Sequence, residues 1–246
     1  AWVWYHPEFT VEKGLAYGER RGKPLLLDVV RPAKPNGLGI VYFTSGGWKS
    51  GGPGDFNALA LAPLLRRGYT VFPVYHVSQP RATVMEIVDD MHRAVRFVRG
   101  SADRETSAVQ AVAIFYPVTD MRDLGSSTEN PGDGGPPLSF RAALDQEPVD
   151  MERWKVTGRE VSPLAFLSAA APPTLIYHGD ADTLVPLEQS TRYRERQALV
   201  RPAPPPRPLT AVRISGRSRP PPAATPAGGA APPRGAPAAR RRRAAP

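Results

Sequence analysis

Apolar residues along the first 200 positions come in short runs, separated by longer stretches in which they recur every three or four residues. The short runs are rich in β-branched and aromatic residues and apolar at consecutive positions. This pattern is typical of strands buried on both faces of a parallel sheet. Five strands are predicted in this way, at residues 25–30, 40–43, 69–75, 109–116 and 174–177.

Residues 83–99 carry the clearest helical pattern. Thr83 and Glu86 predict a capping box at its start, because the side chain of each can accept a hydrogen bond from the backbone N–H of the other. The pattern therefore predicts an amphipathic helix that packs on the sheet. Its apolar stripe consists of Val84, Ile87, Val88, Met91, Val95 and Val98, with Asp89, Asp90, Arg93 and Arg96 on the solvent side.

Two weaker helices are predicted at residues 55–67 and 186–197. Pro63 is expected to split the first, since a proline inside a helix removes a hydrogen bond. The alternation of strands and helices predicts the α/β class, with a mostly parallel central sheet and helices on both faces. A right-handed crossover would place strand 109–116 beside the strand around residues 39–44.

Two segments depart from this alternation. Residues 121–160 are rich in Gly, Pro, Ser and Asp and are predicted to be an insertion or cap-like loop, which either shapes a pocket or is simply solvated. Residues 198–246 contain 13 proline, 13 alanine and 10 arginine residues. Such a composition buries too little apolar surface to order the chain. We therefore predict one α/β domain at residues 1–197 and a disordered tail at residues 198–246.

The net charge of +9 belongs to this tail, which holds 10 of the 32 basic residues and none of the 23 acidic ones. The predicted domain is nearly neutral, so its charge does not indicate a nucleic-acid partner. The absence of cysteine excludes disulfides and a cysteine nucleophile. No apolar run approaches the roughly 20 residues of a membrane span. Ala1 is followed by no signal-peptide pattern, and the sequence predicts no localisation.

A Gly-Gly sequence, TSGGW at residues 44–48, directly follows the second predicted strand. It resembles the HGGGW oxyanion loop of α/β-hydrolases of the esterase type, in the branch related to feruloyl esterases and prolyl-oligopeptidase-like hydrolases. Thr44 and Ser45 stand in place of the histidine and the first glycine. The resemblance implies that Gly46 and Gly47 offer N–H groups to a developing oxyanion and that Trp48 walls the acyl pocket. An ordinary strand-to-loop turn is the alternative.

The sequence HGDADTLVP at residues 178–186 is the most specific match. It is similar to the family's HGDAD-x-x-VP segment, in which a strand delivers the triad acid just beyond its end, here Asp182. In that family the histidine at the position of His178 is not the triad base. A metal site at His178, Asp180 and Asp182 is disfavoured because no further ligand cluster is visible, and no metal or cofactor is expected. We expect Gly46, Gly47, Trp48 and Asp182 at the same, carboxyl edge of the sheet.

The family's nucleophile elbow has no counterpart. No G-x-S-x-G occurs in the chain, and a strand, elbow and helix of about 25–40 residues are missing after Arg99. Ser101 is the best remaining nucleophile candidate, although it follows a helix rather than a strand. No histidine follows Asp182. The tail is dominated by residues with GC-rich codons, so we hypothesise an out-of-frame reading beyond Gln197, which the alternate frames of the source DNA test.

The resemblance implies a carboxylic-ester hydrolase, a serine esterase, that is inactive as it stands. A non-catalytic relative that binds a small ester or sugar is the first alternative. A module that binds phosphates through residues 240–243 is the second, disfavoured because short charge runs are usually solvated. The expected partner is a small-molecule ester substrate or ligand, not nucleic acid. His76 ends the third strand, where ligands bind in open sheets, but a packed or rim histidine is the favoured interpretation.

Overall fold

The computed structural model of the protein describes residues 7–100 and 108–200. Four strands form one sheet in the spatial order β1, β2, β4, β3. β3 and β4 run parallel, with Ile40 opposite Val71, so the loop that follows β3 leaves at the carboxyl end of this pair. The strand bounds are Phe9–Arg20 for β1, Lys23–Pro32 for β2, Gly39–Phe43 for β3 and Thr70–Tyr75 for β4.

The sheet is mixed rather than mostly parallel. β1 and β2 form an antiparallel hairpin through Arg21 and Gly22, whose φ angles are 52° and 73°, as tight hairpin turns require. β2 also pairs antiparallel with β4. A two-residue turn can join only antiparallel strands, which explains the direction of β1 relative to β2. The sequence pattern did not predict β1, because two register shifts break its alternation.

Helix α1, Ala58–Arg66, confirms the predicted helix that precedes β4. Pro63 lies inside α1 without splitting it, so the expectation of two pieces is wrong. Leu61 and Leu65, one on each side of the proline, are both buried and pack with strand residues Val30 and Val71. The burial of both halves against the sheet holds the helix together despite the lost hydrogen bond.

Helix α2, Val84–Val98, confirms the clearest helical pattern. Its capping box forms as predicted: the Thr83 hydroxyl accepts from Glu86 N–H at 3.3 Å, and the Glu86 carboxylate accepts from Thr83 N–H at 2.9 Å. Asp90, predicted on the solvent side, is fully buried and pairs with Arg20 of β1 at 2.9 Å. This charged pair anchors the middle of α2 to the first strand.

Strands β5, Val112–Phe115, and β6, Thr174–Tyr177, form a separate parallel pair. β3 is an edge strand of the four-stranded sheet and does not pair with β5, so the predicted adjacency is wrong. A right-handed crossover permits such pairing without enforcing it. Phe115 and Tyr177 stack with ring centroids 5.0 Å apart, yet they are 55% and 52% exposed. One face of this pair is therefore open, unlike a strand buried on both faces.

The segment of residues 121–160 is packed rather than simply solvated. It contains a short 3₁₀ turn, Leu138–Phe140, and helix α3, Met151–Glu160. Trp154 of α3 is buried and donates from its indole N–H to Gly134 O at 3.0 Å. The carbonyl of Ala143 in this segment also accepts a hydrogen bond from the N–H of Val84, the first residue of α2, at 2.9 Å. The buried cluster between this segment and α2, named the cap core, consists of Val84, Met121, Leu124, Ala143, Leu144 and Trp154.

Helix α4, Leu187–Val200, confirms the last predicted helix and extends it by three residues. Residues 198–200, assigned from the sequence to the tail, are therefore helical. The prediction of disorder beyond them falls on residues 201–246, which lie outside the described residues. Among the described residues, no helix is both long and apolar enough to cross a membrane.

Candidate functional site

The glycine loop, residues 44–49, is a tight turn closed by Gly46 and Lys49. Each of these residues donates its N–H to the carbonyl of the other at 3.0 Å. Gly47 and Trp48, at the centre, have φ angles of 56° and 60°, as in a type I′ hairpin turn. Such a φ costs a residue with a side chain roughly 1–2 kcal/mol. Packing of the Trp48 indole must therefore help to hold the turn.

Two backbone donors of the glycine loop are unengaged. The N–H of Gly46 is taken by Lys49, so it is not available for the oxyanion role predicted from the sequence. Over residues 7–100 and 108–200, the N–H groups of Gly47 and Trp48 meet no acceptor. Oxyanion binding requires free donors in a site that excludes water, and Gly47 is exposed. The oxyanion role of Gly47 stays a prediction, and the Trp48 N–H joins it as a candidate.

The cap core supports this loop from one side. The Trp48 side chain packs against the cap core together with Phe140. Phe140 also covers Gly47, because a Cβ built there would lie 3.4 Å from the phenyl ring. Behind the loop, Trp48 O accepts from Gln79 N–H at 3.0 Å. Trp48 and Phe140 thus form an apolar surface beside the loop, and the role of Trp48 as a wall of the acyl pocket stays a prediction.

The acid loop, residues 178–186, follows β6. Asp182 Oδ1 accepts from the N–H groups of Leu184 at 3.0 Å and Val185 at 2.8 Å. Its side chain is 26% exposed, and Oδ2 lies 3.9 Å from His178 Nε2. These two bonds fix the turn that leads into α4. They leave one carboxylate oxygen for orienting another group.

His178 is locked within the acid loop. Its Nε2 lies 2.6 Å from Val185 O, and its Nδ1 lies 2.5 Å from Ser190 Oγ. A carbonyl oxygen only accepts, so Nε2–H donates to Val185 and Nδ1 accepts from the serine hydroxyl. Since the side chain is only 3% exposed, neither nitrogen is open to a substrate or a metal. Within the described residues no group of three potential metal ligands converges.

His76, at the end of β4, pairs with Ser45 of the glycine loop. Ser45 Oγ lies 2.9 Å from His76 Nε2, and Val77 O lies 2.9 Å from His76 Nδ1. The carbonyl requires Nδ1 to carry the proton, so Nε2 accepts from the Ser45 hydroxyl. His76 is 5% exposed, and this burial lowers the pKa of its imidazole below the ordinary value of 6.5. His76 is therefore a neutral, oriented base at neutral pH.

The glycine loop and the acid loop contact the same segment. Phe140 of segment 121–160 covers Gly47, while Thr128 N–H donates to Thr183 O at 3.0 Å. No hydrogen bond in the described part of the chain joins the two loops directly. The glycine loop follows β3 and the acid loop follows β6, which belong to separate sheets, so the expectation of one shared sheet edge is wrong. Ser101, the sequence-based nucleophile candidate, lies outside the described residues.

Ser45 and His76 form a hydrogen-bonded pair that sequence reasoning did not predict. Each was noticed separately, Ser45 as a replacement for a glycine and His76 as a rim histidine. They are 31 positions apart, and no spacing rule links them. Only the parallel pairing of β3 with β4 brings the ends of the two strands side by side.

The fold of the described residues is of the α/β-hydrolase type, as in solved structures of esterases. Residues 102–196 match the model of the BD-FAE family, an esterase family. The resemblance seen in the sequence is thereby confirmed. No curated protein sequence matches this chain.

Solved structures of esterases share this fold. A truncated carbohydrate esterase from gut microbiota has a TM-score of 0.60 and 19% identity, over 81% of this chain and 86% of that one. Carboxyl esterase 2 from the fungus Tuber melanosporum has a TM-score of 0.58 and 21% identity, over 79% and 74%. Esterase 2 of Thermogutta terrifontis, phosphoramylated by tabun, has a TM-score of 0.57 and 21% identity, over 77% and 79%. At these identities the likeness shows the fold.

Proposed function

We propose that this chain derives from carboxylic-ester hydrolases of the serine type and does not turn over esters by a Ser-His-Asp triad. The observation that carries the proposal is that, in the part of the chain that the structure describes, Asp182 has no imidazole beside it that is free to act as a base. Its carboxylate stands after β6, where the resemblance implies the triad acid, and its nearest imidazole is locked by Val185 and Ser190. All four histidines of the chain precede Asp182. Among the described residues, no histidine within hydrogen-bond reach of Asp182 is free to act as its base.

A non-catalytic ligand-binding role is the second candidate. It is favoured by the two unengaged N–H groups at Gly47 and Trp48 beside the apolar wall of Trp48 and Phe140. Such a surface suits a small ester, whose carbonyl accepts hydrogen bonds and whose alkyl group packs on the wall. Titration of the full chain with p-nitrophenyl acetate, followed by tryptophan fluorescence, tests it. Saturable quenching that disappears in Trp48→Phe supports binding, and no saturation excludes it.

Hydrolysis of p-nitrophenyl acetate by the full chain and by Asp182→Asn tests the main proposal. The asparagine oxygen can still accept from Leu184 and Val185, so the acid loop keeps its shape while the carboxylate charge is lost. Loss of a working triad acid lowers kcat by about 10⁴-fold. We expect any measured rate to be the same in the two proteins and in the exposed neighbouring control Asp180→Asn. A fall confined to Asp182→Asn would show a working triad and refute the proposal.

A further inference from the structure

The geometry points to Ser45 and His76 as a serine–histidine dyad that accepts acyl or phosphonyl groups from small activated donors. The pair goes beyond the proposed function, because it uses neither Asp182 nor the nucleophile elbow. It consists of an exposed serine whose hydroxyl donates at 2.9 Å to a buried, neutral imidazole. A nucleophile within hydrogen-bond reach of an oriented base is the arrangement that nucleophilic catalysis requires.

The base is held in one tautomer by the backbone. His76 Nδ1–H donates to Val77 O at 2.9 Å, which leaves the lone pair of Nε2 directed at Ser45. In a triad a carboxylate takes the place of this carbonyl and stabilises the imidazolium that forms. A neutral carbonyl stabilises that cation less. The dyad is therefore suited to reactive donors, such as fluorophosphonates and p-nitrophenyl esters, rather than to unactivated esters.

The glycine loop holds the serine beside candidate oxyanion donors. The carbonyl of Thr44 accepts from the Ser50 hydroxyl at 2.7 Å, and Ser50 N–H donates to Ser78 Oγ at 2.9 Å. These bonds tie both ends of the loop together and to the chain that follows β4. Gly47 and Trp48, whose N–H groups meet no acceptor in the described residues, follow Ser45 by two and three positions in the glycine loop. They are the groups available to bind a developing oxyanion.

The reaction with a fluorophosphonate balances without a further reactant. Ser45 Oγ forms a bond to phosphorus as its proton passes to His76 Nε2, and the phosphorus–fluorine bond breaks to release fluoride. The imidazolium then returns its proton to water, which leaves a phosphonylated Ser45. With an activated ester the Oγ–C bond forms, the ester C–O bond breaks, and p-nitrophenolate leaves. General-base assistance of this kind contributes about 10²–10⁴-fold to the rate.

Labelling of the full chain with a biotinylated alkyl fluorophosphonate, followed by tryptic mass spectrometry, tests the dyad. Trypsin does not cleave before proline, so residues 22–49 form one peptide with Ser45 as its only serine, and Ser101 falls in residues 100–104. We expect the label on the first peptide, its loss in Ser45→Ala, and labelling about 100-fold slower in His76→Gln. Ser126→Ala, which removes an exposed serine with no histidine partner, should leave the label unchanged.

A second measurement does not depend on the folding of the histidine variant. Because the chain has no cysteine, Ser45→Cys and the exposed control Ser168→Cys each introduce a single thiol. We expect iodoacetamide to react with the thiol beside His76 at least about 10-fold faster, since transfer of the thiol proton to the imidazole leaves a thiolate paired with His⁺. Absence of the fluorophosphonate label, label on Ser101 instead, or equal reactivity of the two thiols would overturn the dyad. None of these results bears on the Asp182 test.

Discussion

Removal of the Asp28 carboxylate is expected to destabilise the fold and loosen the chain next to the glycine loop. Asp28 lies in β2 and is fully buried. Its Oδ1 accepts from Gly14 N–H at 2.9 Å, and its Oδ2 accepts from Gly54 N–H at 2.7 Å and from the Tyr75 hydroxyl at 2.8 Å. One side chain thus joins β1, β4 and the stretch that follows the glycine loop. Burial is the main cause that raises the pKa of the Tyr75 hydroxyl, and its hydrogen bond to Asp28 is the second.

The structure allows the cost of two substitutions to be compared. Asp28→Asn can keep the bonds from Gly54 and Tyr75 but turns an amide N–H₂ towards Gly14, so one bond is lost. A buried donor left unsatisfied costs about 1–3 kcal/mol, and we expect about 2 kcal/mol in the free energy of unfolding. Asp28→Ala leaves three donors unsatisfied, but removing the buried charge offsets part of the loss. For that variant we expect about 3–5 kcal/mol.

Thermal unfolding followed by circular dichroism measures these differences. For a domain of this size each 1 kcal/mol lowers Tm by about 2–4 °C, so Asp28→Asn should lower it by about 4–8 °C. Asp89→Asn removes an exposed carboxylate and should stay within about 0.5 kcal/mol of the parent. If Asp28→Asn is no less stable than Asp89→Asn, the three hydrogen bonds do not hold the fold and the reasoning is wrong.

Three further predictions follow from the capping box, the buried histidine and the missing elbow. Thr83→Ala should lower the free energy of unfolding in urea by about 1 kcal/mol, and a loss no larger than in Asp89→Asn would contradict the role of the cap. His76 is neutral in the fold with a lowered pKa, so the unfolded chain binds its proton first and stability falls as the pH drops below about 6.5. Between pH 8 and pH 5 the parent should therefore lose more unfolding free energy than His76→Gln does. A difference between the two proteins that stays constant with pH would exclude this titration. Insertion of a strand, a G-x-S-x-G turn and a helix after Arg99, with a histidine-bearing segment after Gln197, should create p-nitrophenyl acetate turnover that Asp182→Asn abolishes. A folded but inert protein would refute the assignment of the acid.

The helices and strands that are specified by residues close together in the chain could be predicted from the sequence. The capping box at Thr83, the amphipathic stripe of α2 and the apolar runs of β3, β4 and β6 depend on neighbouring residues alone. The family resemblance rested on two short motifs, and the BD-FAE match and the esterase structures confirm it. Strand β1 escaped prediction because its register shifts disrupt the period of two that identifies a strand.

What sequence patterns left open was decided by contacts between distant residues. Asp90 falls on the polar side of the α2 pattern, yet Arg20 of β1 compensates the burial of its charge. The antiparallel pairing of β2 with β4, and the lack of pairing between β3 and β5, depend on contacts between strands that are distant in the sequence. Ser45 meets His76 for the same reason, because strand pairing places the two strand ends together. Periodicity and motifs report the neighbours of a residue along the chain, whereas the partner of a buried charge or a serine hydroxyl is set by the packing of the whole fold.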